Sequence, residues 1–224
     1  MHCVVTAGPT FEPMDAVRRL TNFSTGRLGT MLAGVLAARG HRVTLLRGEA
    51  SSQAMPCAGV ALQTFSTTED LGVKLAALAG ESVDAVFHAA AVSDFKFGKI
   101  WQRMASGELI EVRAGKIPTR EGALLAELMP TPKLLARLRT WFPGALLVGW
   151  KYEVDGDRAS ALAAAAHQVA ECRTDACVVN GPAYGEGFGL VRPNVGPVHL
   201  PEAGALLEVL AGLLEVRGSA GGVT

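Results

Sequence analysis

The stretch VRRLTNFSTGRLG, residues 17–29, joins a polar, glycine-punctuated loop to the start of a helix. Before it, residues 2–7 form a short apolar run that is typical of a buried strand and leads into Gly8. After it, residues 30–39 have the apolar spacing expected for a helix. The amides that open a helix lack intrahelical partners and lie at the positive end of its dipole. The order strand, loop, helix is therefore typical of the opening of a nucleotide-binding fold.

The rest of the chain alternates between apolar strand-like runs and helical patterns. The predicted strands cover residues 4–7, 43–46, 60–65, 85–89, 145–150 and 176–179. The predicted helices cover residues 28–39, 68–80, 131–142, 156–173 and 202–216. Continuous apolar strands joined by helices indicate a parallel sheet that is covered on both faces. We predict an α/β, Rossmann-like, doubly wound fold with a mainly parallel sheet.

Two segments depart from this alternation. Residues 96–119 are polar and rich in basic side chains, so we expect a long excursion, here called the flap, that can close over a site. Residues 181–198 contain alternating glycines and predict a short C-terminal hairpin. We expect one domain over residues 1–217 and a flexible tail over residues 218–224.

The composition is that of a globular chain. Its 224 residues are 49% hydrophobic, and 21 basic residues balance 21 acidic ones. A net charge of zero is not the overall signature of a nucleic-acid or anionic-membrane binder. No apolar run reaches the ~18 residues needed to cross a bilayer, so we expect a cytoplasmic protein. The cysteines lack the paired spacing of a zinc site and are predicted to be reduced core thiols: Cys3, Cys57, Cys172 and Cys177.

Candidate binding residues follow the predicted strands, because parallel α/β sheets bind ligands beyond the carboxyl ends of their strands. Ser24, Thr25 and Gly26 offer backbone amides to a phosphate, and the alternative is an ordinary helix N-cap at Ser24 or Thr25. Gly8 and Gly29 permit close approach of a ligand, or serve as turn and packing glycines.

Charged residues add further candidates. Asp94, which follows three alanines at 89–91, can accept a hydrogen bond from a substrate, position Mg²⁺ beside a triphosphate, or cap a turn. Arg18 can hold a carboxylate or phosphate, and Lys116 can neutralise a phosphate from the flap; solvation is the alternative for both. His88 is predicted to be a packed residue.

An NADP-dependent reductase on the same fold is the main competing function. The chain lacks the Gly-x-Gly-x-x-Gly fingerprint, and neither Tyr152 nor Tyr184 is followed four residues later by a lysine. Glu49, after the second strand, can bind a ribose hydroxyl but is more typical of a solvated turn.

Five motifs, in the same order along the chain, resemble the phosphopantothenoylcysteine synthetase family of the coenzyme A pathway. They are Thr6-Ala7-Gly8-Pro9-Thr10, Val17-Arg18 followed by Asn22-Phe23-Ser24-Thr25-Gly26-Arg27, Ala89-Ala90-Ala91-Val92-Ser93-Asp94-Phe95, Lys116-Ile117, and Pro132-Lys133-Leu134-Leu135. The resemblance implies a Mg²⁺-dependent ligase that uses CTP or ATP to join 4′-phosphopantothenate and cysteine through an acyl-nucleotidyl intermediate. A stand-alone synthetase is implied, and no flavin is expected.

The resemblance also assigns roles to single positions. The implied nucleotide-binding positions are Gly8, Ser24, Thr25, Gly26, Gly29, Lys116, Trp150 and Asn180. The implied substrate positions are Arg18, Asn22, Ala90, Ala91 and Asp94, and the implied catalytic positions are Asn22 and Lys116. Arg18 matches an arginine that reaches phosphopantothenate in the neighbouring subunit, which implies a homodimer.

The chain departs from the bacterial bifunctional members of that family at three places. Its flap has Lys116-Ile117-Pro118-Thr119 where they carry Lys-x-Lys-Lys, and Gln168 and Cys172 stand where they carry lysines. Trp150-Lys151-Tyr152-Glu153 is closer to the Phe-Lys-x-Glu of stand-alone members. The sequence therefore leaves open the choice between CTP and ATP, and a non-catalytic nucleotide-binding homologue as an alternative function.

Overall fold

A computed structural model describes residues 1–53, 59–118 and 122–220. Its strands are β1 (His2–Ala7), β2 (Phe11–Pro13), β3 (Arg19–Thr21), β4 (Arg42–Gly48), β5 (Val60–Phe65), β6 (Ala85–His88), β7 (Phe95–Arg103), β8 (Leu109–Glu111), β9 (Ala123–Pro130), β10 (Leu146–Tyr152), β11 (Ala176–Asn180), β12 (Phe188–Arg192) and β13 (Val195–Leu200). Its helices are α1 (Arg27–Ala38), α2 (Thr68–Leu78), α3 (Leu134–Trp141), α4 (Arg158–Cys172) and α5 (Ala203–Ala220).

The central sheet has eight strands in the order β13-β12-β11-β10-β6-β1-β4-β5. The six strands from β11 to β5 are parallel, and the hairpin of β12 and β13 adds two antiparallel strands at one edge. From β1 the chain builds outward through β4 to β5, then returns to β6 and builds outward on the other side. The strand order therefore reverses between β1 and β6, which is where such sheets bind ligands. The predicted Rossmann-like fold and the C-terminal hairpin are confirmed.

Helices cover both faces of the sheet because successive residues of each buried strand point to opposite sides. In β1, Val5 packs with Leu32 of α1 and Leu206 of α5, whereas Val4 packs with Leu71 of α2 and Leu138 of α3. Helix α4 packs over β11 on the same side as α2 and α3. All six of these side chains are fully buried, so the doubly wound arrangement has a dry core on each face.

About half of the described flap is sheet rather than loop. Strands β7, β8 and β9 form a separate antiparallel sheet, here called the arm, in the order β8-β7-β9. The strands of the arm and the short β2–β3 pair were not predicted from the sequence. The sequence of β9, ALLAELMP, is mostly apolar, yet most of its side chains are exposed, so its apolar composition does not indicate a core strand. Thr119 and Arg120, beyond Pro118, lie outside the described residues.

The described cysteines, Cys3, Cys172 and Cys177, are buried and free, as predicted for core thiols, while Cys57 lies outside the described residues. Burial raises the pKa of Cys3 to about 11 and that of Cys177 to about 12. Helix α5 continues to Ala220, past the predicted end at residue 216; residues 221–224 of the expected tail are not described. Within the described ranges, no helix is both long enough and apolar enough to span a membrane.

Candidate active site

A cleft of about 1150 Å³ opens at the carboxyl ends of β1, β6 and β10, beside the reversal in strand order. Its walls are residues 22–29, residues 88–94, residues 131–136 and residues 150–152, together with part of α4. Ten predicted site residues line it: Asn22, Ser24, Thr25, Gly26, Gly29, Ala90, Ala91, Asp94, Trp150 and Asn180. Three predicted site residues do not: Gly8, Arg18 and Lys116.

Helix α1 starts at the cleft without a side-chain cap. Its N-cap is Gly26, whose φ of 77° lies in the left-handed region. An N-cap at Ser24 or Thr25, the alternative from the sequence, is therefore wrong, although Thr25 Oγ1 accepts a 3.3 Å hydrogen bond from the amide of Arg27. The first turn, which is described in full, has no acidic side chain. Its amides and the positive end of the helix dipole favour an anion in the adjacent part of the cleft.

Gly8 and Gly29 bring α1 close to the end of β1. A Cβ atom on Gly29 would lie 2.8 Å from both the Cβ of Ala7 and the carbonyl oxygen of Thr6. Gly8, with a φ of 82°, packs against Gly26. A Cβ atom added to Gly26 would lie 3.0 Å from the amide nitrogen of Gly8. Both glycines therefore position the first turn of α1 through close packing, which is the second of the two roles left open by the sequence.

Asn22 connects the loops that follow β1 and β6. Its Nδ2 donates a 3.2 Å hydrogen bond to the carbonyl oxygen of Ala91, and its side-chain oxygen has no partner among the described residues. The amide of Ala91 donates to the carbonyl oxygen of Gly8 at 3.0 Å. The amide of Thr10 donates to the carbonyl oxygen of Ala91 at 3.1 Å. The two loops thus form one hydrogen-bonded wall of the cleft.

His88 lies at the end of β6, where its ring is almost fully buried. Its Nδ1 is 3.0 Å from Thr6 Oγ1, and the same hydroxyl accepts a 3.1 Å hydrogen bond from the amide of Ala90. Burial lowers the pKa of His88 to about 4, so the ring is neutral near pH 7. The predicted packed histidine is confirmed, and its network fixes the backbone at Ala90.

An ion pair between Lys133 and Asp94 joins the start of α3 to the loop after β6. Both side chains are largely exposed, and both residues line the cleft. Thr131 Oγ1 also donates to the carbonyl oxygen of Ser93, which holds the same two segments together. Lys133 was considered in the sequence only as part of a family motif and was not predicted as a site residue. That motif was the available signal, because the predicted helix over residues 131–142 placed Lys133 inside a helix, whereas α3 begins after it.

The ends of β10 and β11 form the opposite wall. Gln168 of α4 donates a 3.4 Å hydrogen bond to the carbonyl oxygen of Trp150. Lys151 forms a 3.1 Å ion pair with Glu153, whose amide donates to the carbonyl oxygen of Asn180 at 2.9 Å. Lys151 lines the cleft and is a second cation that was not predicted as a site residue.

Arg18 lies in a separate cluster beside the flap. Its guanidinium pairs with the carboxylate of Asp15 and donates a 2.7 Å hydrogen bond to the carbonyl oxygen of Ile117. The amide of Ala16 donates to the carbonyl oxygen of Gly115 at 2.9 Å. The loop after β1 is therefore fastened to the residues on either side of Lys116. The hydrogen bond from Arg18 to Ile117, the residue after Lys116, places Arg18 beside the flap, and both Arg18 and Lys116 lie outside the cleft.

The chain was compared with protein families and known proteins. Residues 1–198 match the family described as DNA/pantothenate metabolism flavoprotein C-terminal domain. A coenzyme A biosynthesis bifunctional protein CoaBC from Thermococcus kodakarensis is 33% identical over 177 residues, which are 79% of this chain and 40% of that protein. The chain thus spans about two fifths of the length of this relative.

Two solved structures have the same fold. The DNA/pantothenate metabolism flavoprotein from Streptococcus pneumoniae superposes with a TM-score of 0.83 at 21% identity, covering 97% of this chain and 99% of the other. A Cab2 mutant in complex with phosphopantothenate-cysteine superposes with a TM-score of 0.73 at 21% identity, covering 98% of this chain and 86% of the other. The family recognised from the ordered motifs is confirmed.

Proposed function

Because the chain belongs to the DNA/pantothenate metabolism flavoprotein C-terminal domain family, we propose that it is a ligase that joins 4′-phosphopantothenate to L-cysteine in coenzyme A biosynthesis. The observation that carries this proposal is the cleft in which the uncapped start of α1 faces Asn22 and the loop after β6. The Thermococcus relative is named as a coenzyme A biosynthesis protein, and the Cab2 structure contains phosphopantothenate-cysteine; both support the assignment.

The proposed reaction has two steps. A carboxylate oxygen of phosphopantothenate attacks the α-phosphorus of CTP or ATP, which forms an acyl nucleotide and releases pyrophosphate. The amine of cysteine then attacks the acyl carbon, forms the amide bond and expels the nucleoside monophosphate. Activation is needed because direct attack on a carboxylate would have to expel oxide, whereas a nucleotide is a stable leaving group. The protein must therefore bind a triphosphate beside an acid and then admit an amine.

The triphosphate is assigned to the start of α1, where Ser24, Thr25 and Gly26 line the cleft. The amide of Ser24 already donates to the carbonyl oxygen of Asn22 at 2.9 Å, so the amides assigned to the phosphates are those of Thr25 and Gly26. Three cationic side chains line the same cleft: Arg27, Lys133 and Lys151. Lys133 and Lys151 are paired with Asp94 and Glu153, so a triphosphate would compete with these carboxylates for the two lysines. Trp150 and Asn180 are assigned to the base and ribose. Trp150 Nε1 supports this, because it is buried and has no hydrogen-bond partner among the described residues.

The acid is assigned to the wall formed by the loops after β1 and β6. The small side chains of Ala90 and Ala91 leave room for phosphopantothenate, and Asp94 can accept a hydrogen bond from it. Asn22 already donates to Ala91, so its free side-chain oxygen can accept a hydrogen bond from the incoming amine. We assign to Asn22 the conversion of the acyl nucleotide.

Arg18 and Lys116 lie outside the cleft and are assigned to the substrates by other routes. Lys116 would reach the substrates with the flap. Arg18 would reach the phosphopantothenate that is bound to the partner subunit of a homodimer.

The arm supports a second copy of this chain as the partner. It exposes five large apolar side chains, each with 45–49% of its surface accessible: Phe95, Leu109, Ile110, Leu128 and Met129. Sedimentation at micromolar concentration should give a dimer, and Leu128→Asp should shift it towards monomer.

Mg²⁺ is proposed to enter with the nucleotide rather than to occupy a protein cage. Across the described residues there is no group of three or more metal-binding side chains. This fits Mg²⁺, which is usually held by one or two carboxylates and by phosphate oxygens; Asp94 is the carboxylate at the strand ends. When bound, the ion would neutralise charge on the phosphates.

Pyrophosphate release in the presence of phosphopantothenate and each of CTP and ATP tests the proposal. Release that depends on phosphopantothenate, followed by amide formation only when cysteine is added, is the expected result. An NADP-dependent reductase would instead be stabilised against heat by NADP and not by either triphosphate. A non-catalytic homologue would bind a triphosphate without releasing pyrophosphate. The same assay identifies the preferred base, and cell fractionation would check the expected cytoplasmic location.

A further inference from the structure

Asp15 is the centre of the cluster that joins the loop after β1 to the flap. Its Oδ1 accepts the amides of Val17 at 2.9 Å and Arg18 at 2.7 Å. Its Oδ2 accepts Arg18 Nε at 3.0 Å, Arg18 Nη2 at 2.5 Å and the amide of Ile117 at 3.1 Å. One carboxylate thus receives five hydrogen bonds, from its own loop and from a residue 102 positions later.

The same bonds determine the orientation of Arg18. Nε and Nη2 are both committed to Asp15, and Nη2 also donates to the carbonyl oxygen of Ile117. Nη1 makes no hydrogen bond to the described residues, so one edge of the guanidinium stays available to a ligand. The Asp15 side chain is 1% exposed, whereas that of Arg18 is 35% exposed. The carboxylate is therefore shielded while the arginine still reaches solvent.

Asp15 is ionised throughout the range in which the protein would be assayed. The hydrogen bonds from Arg18, with those from the backbone of Ile117, Val17 and Arg18 itself, hold the pKa of Asp15 well below its usual range. A neutral amide at this position would lack the charge that orients the guanidinium, and its NH2 group would oppose the donors around it.

We propose that Asp15 is a positioning residue that holds Arg18 and residues 115–117 as one unit, so that Arg18 and Lys116 are presented together to an anionic substrate. This inference rests on the proposed function, which supplies a phosphorylated substrate for the two cations. Asp15 itself has no role in the chemistry. It acts by fixing the direction of the free guanidinium edge and the path of the backbone on both sides of Lys116.

A double-mutant cycle with Asp15→Asn and Arg18→Ala tests the inference in the ligase assay. Each single variant should raise the KM for phosphopantothenate about tenfold, the factor that one charge-assisted hydrogen bond supports, with little change in the KM for cysteine. The double variant should lose clearly less than the product of the two single losses, because both single variants break the same contact between Asp15 and Arg18 and only the hold of Asp15 on Ile117 is left to lose. Asp155→Asn, at an exposed aspartate, is the matched control and should leave the KM unchanged. Additive losses, or an unchanged KM in folded Asp15→Asn, would overturn the inference.

Amide hydrogen exchange without substrate gives a readout that does not need ligase activity. Asp15→Asn should accelerate exchange at the amides of Arg18 and Ile117 and leave the core strand β1 protected. Should Asp15→Asn fail to fold, Arg18→Lys takes its place, since a lysine cannot hold Asp15 and the carbonyl of Ile117 in the same fork geometry. Wild-type protein that never releases pyrophosphate would refute the proposed function alone, whereas unchanged exchange at Ile117 in these variants would refute the positioning role alone.

Discussion

Asn22 donates its side-chain hydrogen bond to the backbone of Ala91, 69 residues away, across the strand reversal between β1 and β6. The bond keeps the amide at the edge of the cleft and leaves its side-chain oxygen without a partner among the described residues. A neutral amide suits this position because it can donate and accept at once.

Asn22→Asp should slow the second half-reaction more than the first. A carboxylate cannot donate to Ala91 and would place a negative charge beside the acyl phosphate, so we expect amide formation to fall about a hundredfold. Pyrophosphate should still be released in a first turnover, and the acyl nucleotide should accumulate in acid-quenched samples. Asn194→Asp, in the turn between β12 and β13, is the control and should behave as wild type. Unchanged turnover in Asn22→Asp would remove Asn22 from the mechanism.

Gly29→Ala should destabilise the fold. The added Cβ would lie 2.8 Å from the Cβ of Ala7 and from the carbonyl oxygen of Thr6, both on buried strand β1, so α1 must move away from the sheet. We expect a loss of about 1–3 kcal/mol in the free energy of unfolding, measured by urea denaturation.

Gly212→Ala is the matched control for that measurement. Gly212 lies in α5, and an added Cβ there would have no atom within 4 Å. The same substitution should therefore stabilise the protein by up to about 1 kcal/mol through helix propensity. Equal effects of the two substitutions would mean that the close contact of Gly29 with β1 does not limit the approach of α1.

The sequence was sufficient to predict elements whose pattern is local and buried. Strand β6 is a continuous apolar run, and α1 places Leu32 and Leu36 on one face. The arm was harder to predict because its strands are half exposed and pair over long distances. Phe97, for example, pairs with Leu128 across 31 positions of sequence, and the apolar residues around Leu128 are mostly exposed, so they do not mark a core strand.

The site was predictable where a residue lies at the end of a core strand. Asp94 is of this kind, since it lies in the loop that follows core strand β6 and lines the cleft. Asn22 was assigned only through the family resemblance, because it follows the exposed strand β3. Lys133 and Asp15 were not predicted, because each acts through a partner far along the chain, Asp94 in one case and Ile117 in the other. Such contacts depend on the register of the folded sheet, which residue patterns do not specify.

Lys133→Ala should weaken nucleotide binding without weakening the fold. The ion pair between Lys133 and Asp94 is exposed, so its loss should change the free energy of unfolding by less than about 1 kcal/mol. If Lys133 contacts the triphosphate, the KM for the nucleotide should be about tenfold higher in the variant than in wild type. Lowering the salt concentration should also reduce this KM less in the variant than in wild type, because one charge contact is lost. Lys74→Ala, which breaks the ion pair with Asp70 on α2, is the control for loss of a surface cation. Equal KM values for both variants would exclude Lys133 from the nucleotide site.

His88 should make stability depend on pH in the mildly acidic range. Its pKa in the folded protein is about 4 because the ring is buried, whereas the pKa of a solvated histidine is 6.5. Between these values the unfolded state binds more protons than the folded state, so the free energy of unfolding decreases as the pH falls from 6.5 towards 4. Above pH 6.5 the ring is neutral in both states, and this contribution to stability is not lost. The difference of about 2.5 between the two values corresponds to at most about 3.5 kcal/mol. Burial lowers the pKa of His2 as well, which adds a contribution of the same sign.

His88→Gln separates this contribution from the rest of the acid response. Glutamine does not titrate, yet its side chain can still exchange a hydrogen bond with Thr6, which in turn accepts the amide of Ala90. Urea denaturation at pH 7.5 and at pH 4.5 should therefore show a smaller acid-induced loss of stability in His88→Gln than in wild type. A titration of the His88 ring by NMR should have its midpoint near 4 in the folded protein. An identical acid-induced loss of stability in both proteins, or a titration midpoint near 6.5, would mean that the ring is solvated. The backbone at Ala90 would then be held by contacts other than the buried pair of Thr6 and His88.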